Sequence, residues 1–104
     1  MRLKTTYEHR TVIYIPLPRG YEVLDELAQL TKAAGGCTGY DATGFYLDGG
    51  EWKTEVIRHV EVWYRGDNTD VQEAVRCLVQ ALLTAGESSV LVVQDGEAQL
   101  WESD

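Results

Sequence analysis

The sequence predicts an α+β fold with the order β-α-β-β-α-β, which is the ferredoxin-like sandwich. Two segments carry apolar residues at helical spacing, and β-branched or aromatic runs lie before, between and after them. In this order, right-handed crossovers place both helices on one face of an antiparallel sheet. Because a chain of 104 residues has room for one domain, we expect residues 1–104 to form a single ferredoxin-like domain with a short extra C-terminal strand.

The first strand and helix are predicted from a short β-branched run followed by an amphipathic stripe. Residues 8–17 contain the run Thr-Val-Ile-Tyr-Ile, and Pro16 ends it because proline donates no ladder hydrogen bond. Residues 21–34 then repeat leucine, valine and alanine at spacings of three and four, which is typical of a helix with one buried face. Gly35-Gly36 ends that helix.

A hairpin is predicted next, with strands at residues 38–47 and 55–64 around Asp48-Gly49-Gly50. Side chains alternate between the two faces of a strand, so the second strand divides into two sets. Val56, Val60, Val62 and Tyr64 are expected to face the helices. The set expected on the open face of the sheet is Glu55, Ile57, His59, Glu61 and Trp63.

The second helix follows the turn at residues 67–70 and ends at Gly86, and it has the strongest apolar stripe of the chain. Its start is predicted to be a capping box, formed by Thr69 with Gln72 or by Asp70 with Glu73.

Two short strands are predicted to complete the fold. Residues 89–93 form an apolar strand, and Asp95-Gly96 turns the chain into a final strand at residues 98–101.

Composition and charge exclude several kinds of partner. Seventeen acidic and nine basic residues give a formal net charge of −8, and the only local basic grouping is Arg2, Lys4 and Arg10. Binding a nucleic acid or an anionic membrane requires clustered Lys and Arg, so we expect no direct nucleic-acid partner and no membrane partner. The acidic surface either keeps the protein soluble or imitates nucleic acid toward a basic protein groove.

The sequence predicts a cytoplasmic protein. It starts without an apolar signal segment, has no apolar run of about 20 residues, and contains two cysteines, too few for a disulfide scaffold.

Short motifs in order along the chain resemble a family of small bacterial proteins that is catalogued as a domain of unknown function. They are the runs at residues 10–15, 36–44 and 87–93, together with Glu55. The sequence departs from that family in having Thr54 before Glu55 instead of arginine, and in lacking the secretion signal of many members. The resemblance implies a ferredoxin-like fold and no particular activity. A looser resemblance to trimeric nitrogen-signalling regulators rests on topology and on residues 38–44, without counterparts of their nucleotide-binding basic residues.

Candidate chemistry is sparse. His9 and His59 lie on strands predicted to be neighbours and could meet Glu61 or Cys37 at a zinc ion, but their spacing matches no zinc-ligand pattern. Cys37 with His59 as its base is a second possibility, and Cys77 is expected to be a small core residue. The glycines form no phosphate-binding motif. We therefore predict no metal site, no cofactor and no catalytic residues.

The open sheet face is the best remaining candidate, because aromatic side chains with a polar group are enriched at interfaces. Several aromatic residues lie on or beside predicted strands. The residues predicted to form an interface or a pocket are His59, Glu61, Trp63, Ile57, Tyr46 and Trp101.

Three functions follow from this reasoning. The first is a non-enzymatic binding or regulatory module that self-associates through its open sheet face, with a dimer favoured and a protein partner possible. The second is a small acidic inhibitor of the mobile-element type, which blocks a nucleic-acid-handling enzyme by charge mimicry. The third is a small dimeric ferredoxin-like enzyme that uses His59 in a sheet–helix cavity.

Overall fold

The computed structural model describes residues 1–104 as one five-stranded antiparallel sheet with its helices packed on one face. The strands lie in the order β2-β3-β1-β4-β5. The elements in chain order are β1 His9–Pro16, a 3₁₀ helix Leu17–Glu22, α1 Leu24–Ala34, β2 Thr38–Asp48, β3 Glu51–Tyr64, α2 Thr69–Thr84, β4 Ser89–Gln94 and β5 Glu97–Glu102.

The predicted ferredoxin-like topology is confirmed. β1 is central and pairs with β3 from His9↔Tyr64 to Pro16↔Ile57, and its other edge pairs with β4. β5 is the extra C-terminal strand and pairs with β4 alone, so its outer edge carries no partner strand within the chain.

One hydrophobic core fills the space between the helices and the sheet. Val60, Val62 and Tyr64 are buried there, as the alternation in β3 predicts. Leu30 from α1 and Leu78 from α2 are fully buried against them. Burying one large apolar side chain stabilises the folded state by about 1.5–3 kcal/mol, so this layer of side chains holds the helices against the sheet.

The first helical segment differs from its prediction. Residues 17–22 form a 3₁₀ helix with a proline in its first turn, and α1 starts only at Leu24. Proline fixes φ and lacks a donor, which suits the first turn of a helix. The predicted stop is confirmed, since Gly35 adopts φ 79° and donates its N–H to the Thr31 carbonyl.

The predicted capping boxes of α2 are wrong, because the N-cap is Asn68. Its Oδ1 accepts a hydrogen bond from the Val71 N–H at 3.3 Å, and its Nδ2 donates to the Ala33 carbonyl at 3.1 Å. The same side chain therefore starts α2 and fixes the end of α1 beside it.

The hairpin of β2 and β3 extends well past the rest of the protein, and the whole chain measures 54 × 27 × 23 Å along its principal axes. We call residues 43–56 the arm. β3 starts four residues earlier than predicted, leaving Gly49-Gly50 as the turn. Val56 has the predicted parity, but it lies beyond the helices and is 43% exposed. One face of the arm presents exposed apolar side chains, which are Phe45, Leu47, Trp52 and Val56.

No helix in the structure has the length and the apolar character needed to cross a membrane.

Candidate functional site

The open face of the sheet carries a row of three rings that crosses three strands. Tyr14 of β1, His59 of β3 and Tyr40 of β2 are directly opposite one another in the strand registers. The Tyr14 and His59 ring centroids are 4.1 Å apart, and the Tyr40 ring meets His59 edge-on at 4.8 Å. Such contacts fix the orientation of each ring, although the rings do not share a plane: His59 is tilted by 33° to Tyr14 and by 63° to Tyr40.

A charged group lies next to this row. Arg10 donates from Nε to Glu61 Oε2 at 2.9 Å and also from Nη2 to the same oxygen. The other oxygen, Oε1, accepts from the Trp63 indole Nε1 at 2.9 Å. The Arg10 guanidinium lies 5.8 Å from the centroid of the Trp63 ring, within the range of a cation–π contact.

We call these six residues, Arg10, Tyr14, Tyr40, His59, Glu61 and Trp63, the sheet-face cluster. Glu61 is the least exposed charged member, with 18% of its side-chain surface accessible. The hydrogen bond from Trp63 and those from Arg10 lower the pKa of Glu61 below its usual value. The same pairing with Glu61 raises the pKa of Arg10. The carboxylate is therefore ionised, oriented and close to an aromatic surface.

The structure brings together three of the predicted site residues, His59, Glu61 and Trp63, and places Ile57 one step further along the same face of β3. Tyr46 shares that face, but it lies on the arm, six residues beyond Tyr40 or about 20 Å at the usual strand rise.

Trp101 lies on the other side of the sheet. It pairs with the buried Val90 and therefore faces the helix layer, in a different hollow from the sheet-face cluster.

Two combinations considered from the sequence, His9 with His59 at a zinc ion and Cys37 with His59 as its base, are not formed in the structure. His9 pairs with Tyr64 on the helix side, where its ring contacts the Tyr64 ring at 5.4 Å, whereas His59 lies on the open side. Cys37 packs against the core and accepts a hydrogen bond from Thr31, so it does not meet His59. The expectation that Cys77 is a core residue is wrong, since it is exposed.

Three members of the cluster, Arg10, Tyr14 and Tyr40, were not among the predicted site residues. Neither residue type is unusual on a strand, and the continuous apolar run of β1 conceals which parity faces the helices. The register of β1 against β3 supplies the missing signal, because it places Arg10 opposite Trp63 and Tyr14 opposite His59.

A second hollow is a groove between α2 and the strands β4 and β5, with a volume of about 1310 Å³. Trp101, Tyr64 and His9 form its aromatic wall. At one end, the Tyr64 hydroxyl contacts Thr11 Oγ1 at 3.1 Å and accepts from Gln94 Nε2 at 2.8 Å. This polar group is already satisfied internally, so the part of the groove that offers free side chains is the region around Trp101.

No protein-family model matches the chain, and no curated protein matches it. Solved structures do match over its full length. A phage SAM lyase in complex with S-methyl-5′-thioadenosine is 17% identical, with a TM-score of 0.66 over 98% of this chain and 97% of that one. A phage SAM lyase in the apo state is 18% identical, with a TM-score of 0.70 over 100% of this chain and 96% of that one. A Bacillus cereus protein related to NIF3 is 17% identical, with a TM-score of 0.50 over 96% of this chain but 27% of that one.

These matches correct the leading functional expectation. A non-enzymatic module that self-associates through its open sheet face was expected, whereas the fold is, end to end, one that a phage enzyme also adopts. The resemblance to a domain-of-unknown-function family stays a prediction.

Proposed function

We propose that this protein is an enzyme that cleaves S-adenosylmethionine (SAM) without water and releases S-methyl-5′-thioadenosine. The observation that carries the proposal is the full-length match to a SAM lyase in complex with that nucleoside. Because its identity is 17%, the residues of the present chain must account for the chemistry independently. The sheet-face cluster is the part of the molecule best suited to do so.

The cluster has groups that complement each part of SAM. The row of Tyr14, His59 and Tyr40 offers aromatic rings for the adenine ring to contact, because aromatic rings attract each other in offset-stacked and edge-to-face arrangements. Aromatic faces also attract a sulfonium cation. Glu61 provides an oriented carboxylate for the substrate's α-ammonium group. The net charge of −8 favours the approach of a cationic substrate.

The reaction determines where the charged residues belong. When the bond between sulfur and the γ-carbon of the aminobutyryl group breaks, its electron pair goes to sulfur, and the sulfonium becomes a neutral thioether. A carboxylate beside sulfur would favour the ground state over the transition state, whereas only the reverse preference accelerates a reaction. Neutral rings attract the sulfonium more weakly than a carboxylate does and so favour the ground state less. We therefore assign the sulfonium to the rings and Glu61 to the α-ammonium group. Arg10 and Trp63 are positioning residues that hold Glu61.

Mass balance fixes what the released four-carbon fragment must be. If water is not incorporated, the γ-carbon either bonds to an oxygen of the substrate's own carboxylate, giving a lactone, or the neighbouring carbon loses a proton to solvent, giving an alkene. Neither route incorporates solvent oxygen. A hydrolase would instead produce homoserine with the solvent oxygen in its γ-hydroxyl group, whereas later hydrolysis of a lactone places solvent oxygen in the carboxyl group.

The test is to incubate the purified protein with SAM in H₂¹⁸O and analyse products by mass spectrometry. We expect S-methyl-5′-thioadenosine together with a four-carbon fragment that has no ¹⁸O bonded to its γ-carbon, formed faster than in a protein-free control. His59→Ala should reduce the rate at least tenfold, while the matched control Glu55→Gln on the same face of β3 should retain it. No turnover, or a fragment with ¹⁸O in its γ-hydroxyl group, would refute the proposal.

We also propose that the protein forms a homo-oligomer in which another copy covers the apolar face of the arm. Phe45 and Trp52 are 70% and 76% exposed, and a two-stranded ribbon alone is only marginally stable in water. Native mass spectrometry should detect a defined oligomer, and Phe45→Lys/Trp52→Lys should convert it to monomer. The control Tyr21→Lys changes a side chain that is also exposed (78%) but lies off the arm, and should not. A monomeric wild-type protein would exclude this assembly.

A second candidate function is an acidic decoy that blocks a nucleic-acid-handling enzyme. The excess of 17 acidic over 9 basic residues favours it, and two of the structures that match over the full chain are phage proteins. Inhibition of such an enzyme that persists after SAM is replaced by a non-cleavable analogue would support the decoy. Inhibition that follows SAM depletion alone would exclude it.

A further inference from the structure

The ion pair between Arg10 and Glu61 has unused hydrogen-bonding capacity on its arginine. Arg10 donates to Glu61 Oε2 from Nε and from Nη2, which together form one edge of the guanidinium group. Arginine has five N–H donors, so both donors on Nη1 and the second one on Nη2 have no partner in the chain. The Arg10 side chain is 37% exposed, and these donors are therefore open to a ligand.

Glu61 has unused capacity as well, on its other oxygen. Oε2 accepts two hydrogen bonds from Arg10, whereas Oε1 accepts one, from the indole of Trp63. A carboxylate offers about four acceptor positions, so one position on Oε1 remains free. The ion pair thus presents a free acceptor and free donors side by side. This arrangement complements an ammonium and a carboxylate that share one α-carbon.

Arg10 is the only cation beside the aromatic rings on the open face of the sheet. The strand registers place one other lysine or arginine on this face, Lys53, which lies on the arm and donates to Asp48 at 3.1 Å. The chain as a whole has a net charge of −8, which disfavours the approach of a carboxylate. Binding of a substrate carboxylate on this face therefore depends on Arg10.

We propose that Arg10, besides holding Glu61, binds the α-carboxylate of the substrate, and that the pair selects substrates with a free α-amino-acid end. This inference rests on the proposed function for the identity of the substrate. Arg10 Nη1 donates to one carboxylate oxygen, while Glu61 Oε1 accepts from the α-ammonium group. The second carboxylate oxygen stays free, so the contact is compatible with both the lactone and the alkene route.

Equilibrium binding tests this contact without turnover. The probes are S-adenosylhomocysteine and S-adenosyl-3-thiopropylamine, which are both neutral at sulfur, both carry an ammonium group and differ only in the α-carboxylate. We expect calorimetry to show that the wild type binds S-adenosylhomocysteine at least tenfold more tightly. The net charge of −8 by itself predicts the opposite order, because the probe without the carboxylate is the more positive one.

The Arg10→Gln substitution should abolish this preference. Loss of Arg10 also releases Glu61, which weakens the binding of both probes, so the ratio of the two dissociation constants reports the contact with the carboxylate. The matched control is Arg58→Gln. Arg58 also donates to a carboxylate from Nε and Nη2, to Asp41 at 2.9 and 3.2 Å, but it lies on the helix side of β3, opposite the buried Ile15. Its substitution should leave the ratio unchanged.

Three results would overturn the proposal: equal affinity of the wild type for the two probes, a preference that survives in Arg10→Gln, or no binding at millimolar concentrations. If Arg10→Gln does not fold, ¹⁵N NMR of the wild-type arginine side chains decides instead. S-adenosylhomocysteine should then shift the Arg10 signals, and S-adenosyl-3-thiopropylamine should not.

Failure of this contact and failure of the lyase proposal give different results. Binding with the expected ratio but no cleavage of SAM would refute the cleavage reaction and retain the contact. Cleavage of SAM without the expected ratio would refute the contact and retain the reaction.

Discussion

Glu61 uses its two carboxylate oxygens for different partners: Oε1 accepts from the Trp63 indole at 2.9 Å, and Oε2 accepts from Arg10 Nε at 2.9 Å. Trp63 is two residues away on the same strand, while Arg10 comes from β1. The carboxylate is therefore held in one orientation by two strands, which suits a group that binds a substrate cation.

The Glu61→Gln substitution should weaken substrate cleavage while leaving the fold intact. A hydrogen bond to a charged group contributes about 1.5–3 kcal/mol, so we expect kcat/KM to fall roughly 10- to 150-fold. Because Glu61 is assigned to substrate binding, most of the loss should be in KM. Steady-state kinetics with SAM checks this, with Glu55→Gln as the matched control. A loss confined to kcat would contradict the assigned role.

Tyr64→Phe should destabilise the protein by about 1–2 kcal/mol, because the change leaves buried polar groups without a partner. The Tyr64 hydroxyl accepts from Gln94 at 2.8 Å and contacts the buried Thr11 Oγ1 at 3.1 Å. Urea denaturation measures the free energy of unfolding. The control Tyr21→Phe, on a side chain that is 78% exposed, should be nearly neutral. Equal effects of the two substitutions would mean that the hydroxyl network contributes nothing.

Asp95 makes stability depend on acid pH. The backbone N–H of Arg10, and then His9 and Gln94, donate hydrogen bonds that lower the pKa of Asp95 in the folded state. A lowered folded pKa gives stability that is present above the unfolded value of about 3.9 and is lost as pH falls through the folded value.

Asp95→Asn removes that contribution and keeps the backbone, since Asp95 has φ 51° and asparagine tolerates this conformation. Thermal unfolding should give the variant a lower Tm than wild type at pH 5. The difference should shrink as pH falls toward about 2. The exposed control Asp104→Asn should follow wild type at each pH. If the difference in Tm between the two proteins stays constant with pH, the substitution acts through the shape of the side chain and not through its charge.

Asn68 has two roles that two substitutions separate. Asn68→Ala loses both the cap of α2 and the bond to the Ala33 carbonyl, and should cost about 1–2 kcal/mol. Asn68→Asp keeps a capping oxygen but has no donor for Ala33, so it should lose only part of that free energy. Chemical denaturation of both variants checks the order. An Asp variant as unstable as the Ala variant would place the whole effect in the contact with Ala33.

The sequence by itself determined the order of elements, the two helices and the alternation in β3, because these depend on local periodicity. The apolar stripe of α2 and the glycine stop after Ala34 are such signals, and both are present as expected. Local patterns also separated His59, Glu61 and Trp63 from the core-facing Val60 and Val62. They could not select among the polar residues near Asn68, since several types cap a helix equally well.

The tertiary structure alone decided the composition of the site. Arg10 meets Glu61 across 51 residues of sequence, and His9 separates from His59, because strand register assigns each β1 side chain to a face. It also decided that Trp101 belongs to the groove by α2 and not to the open face. The physical reason is that one residue of register shift moves a side chain to the opposite face of the sheet, and pairing between distant strands, not local sequence, sets that register.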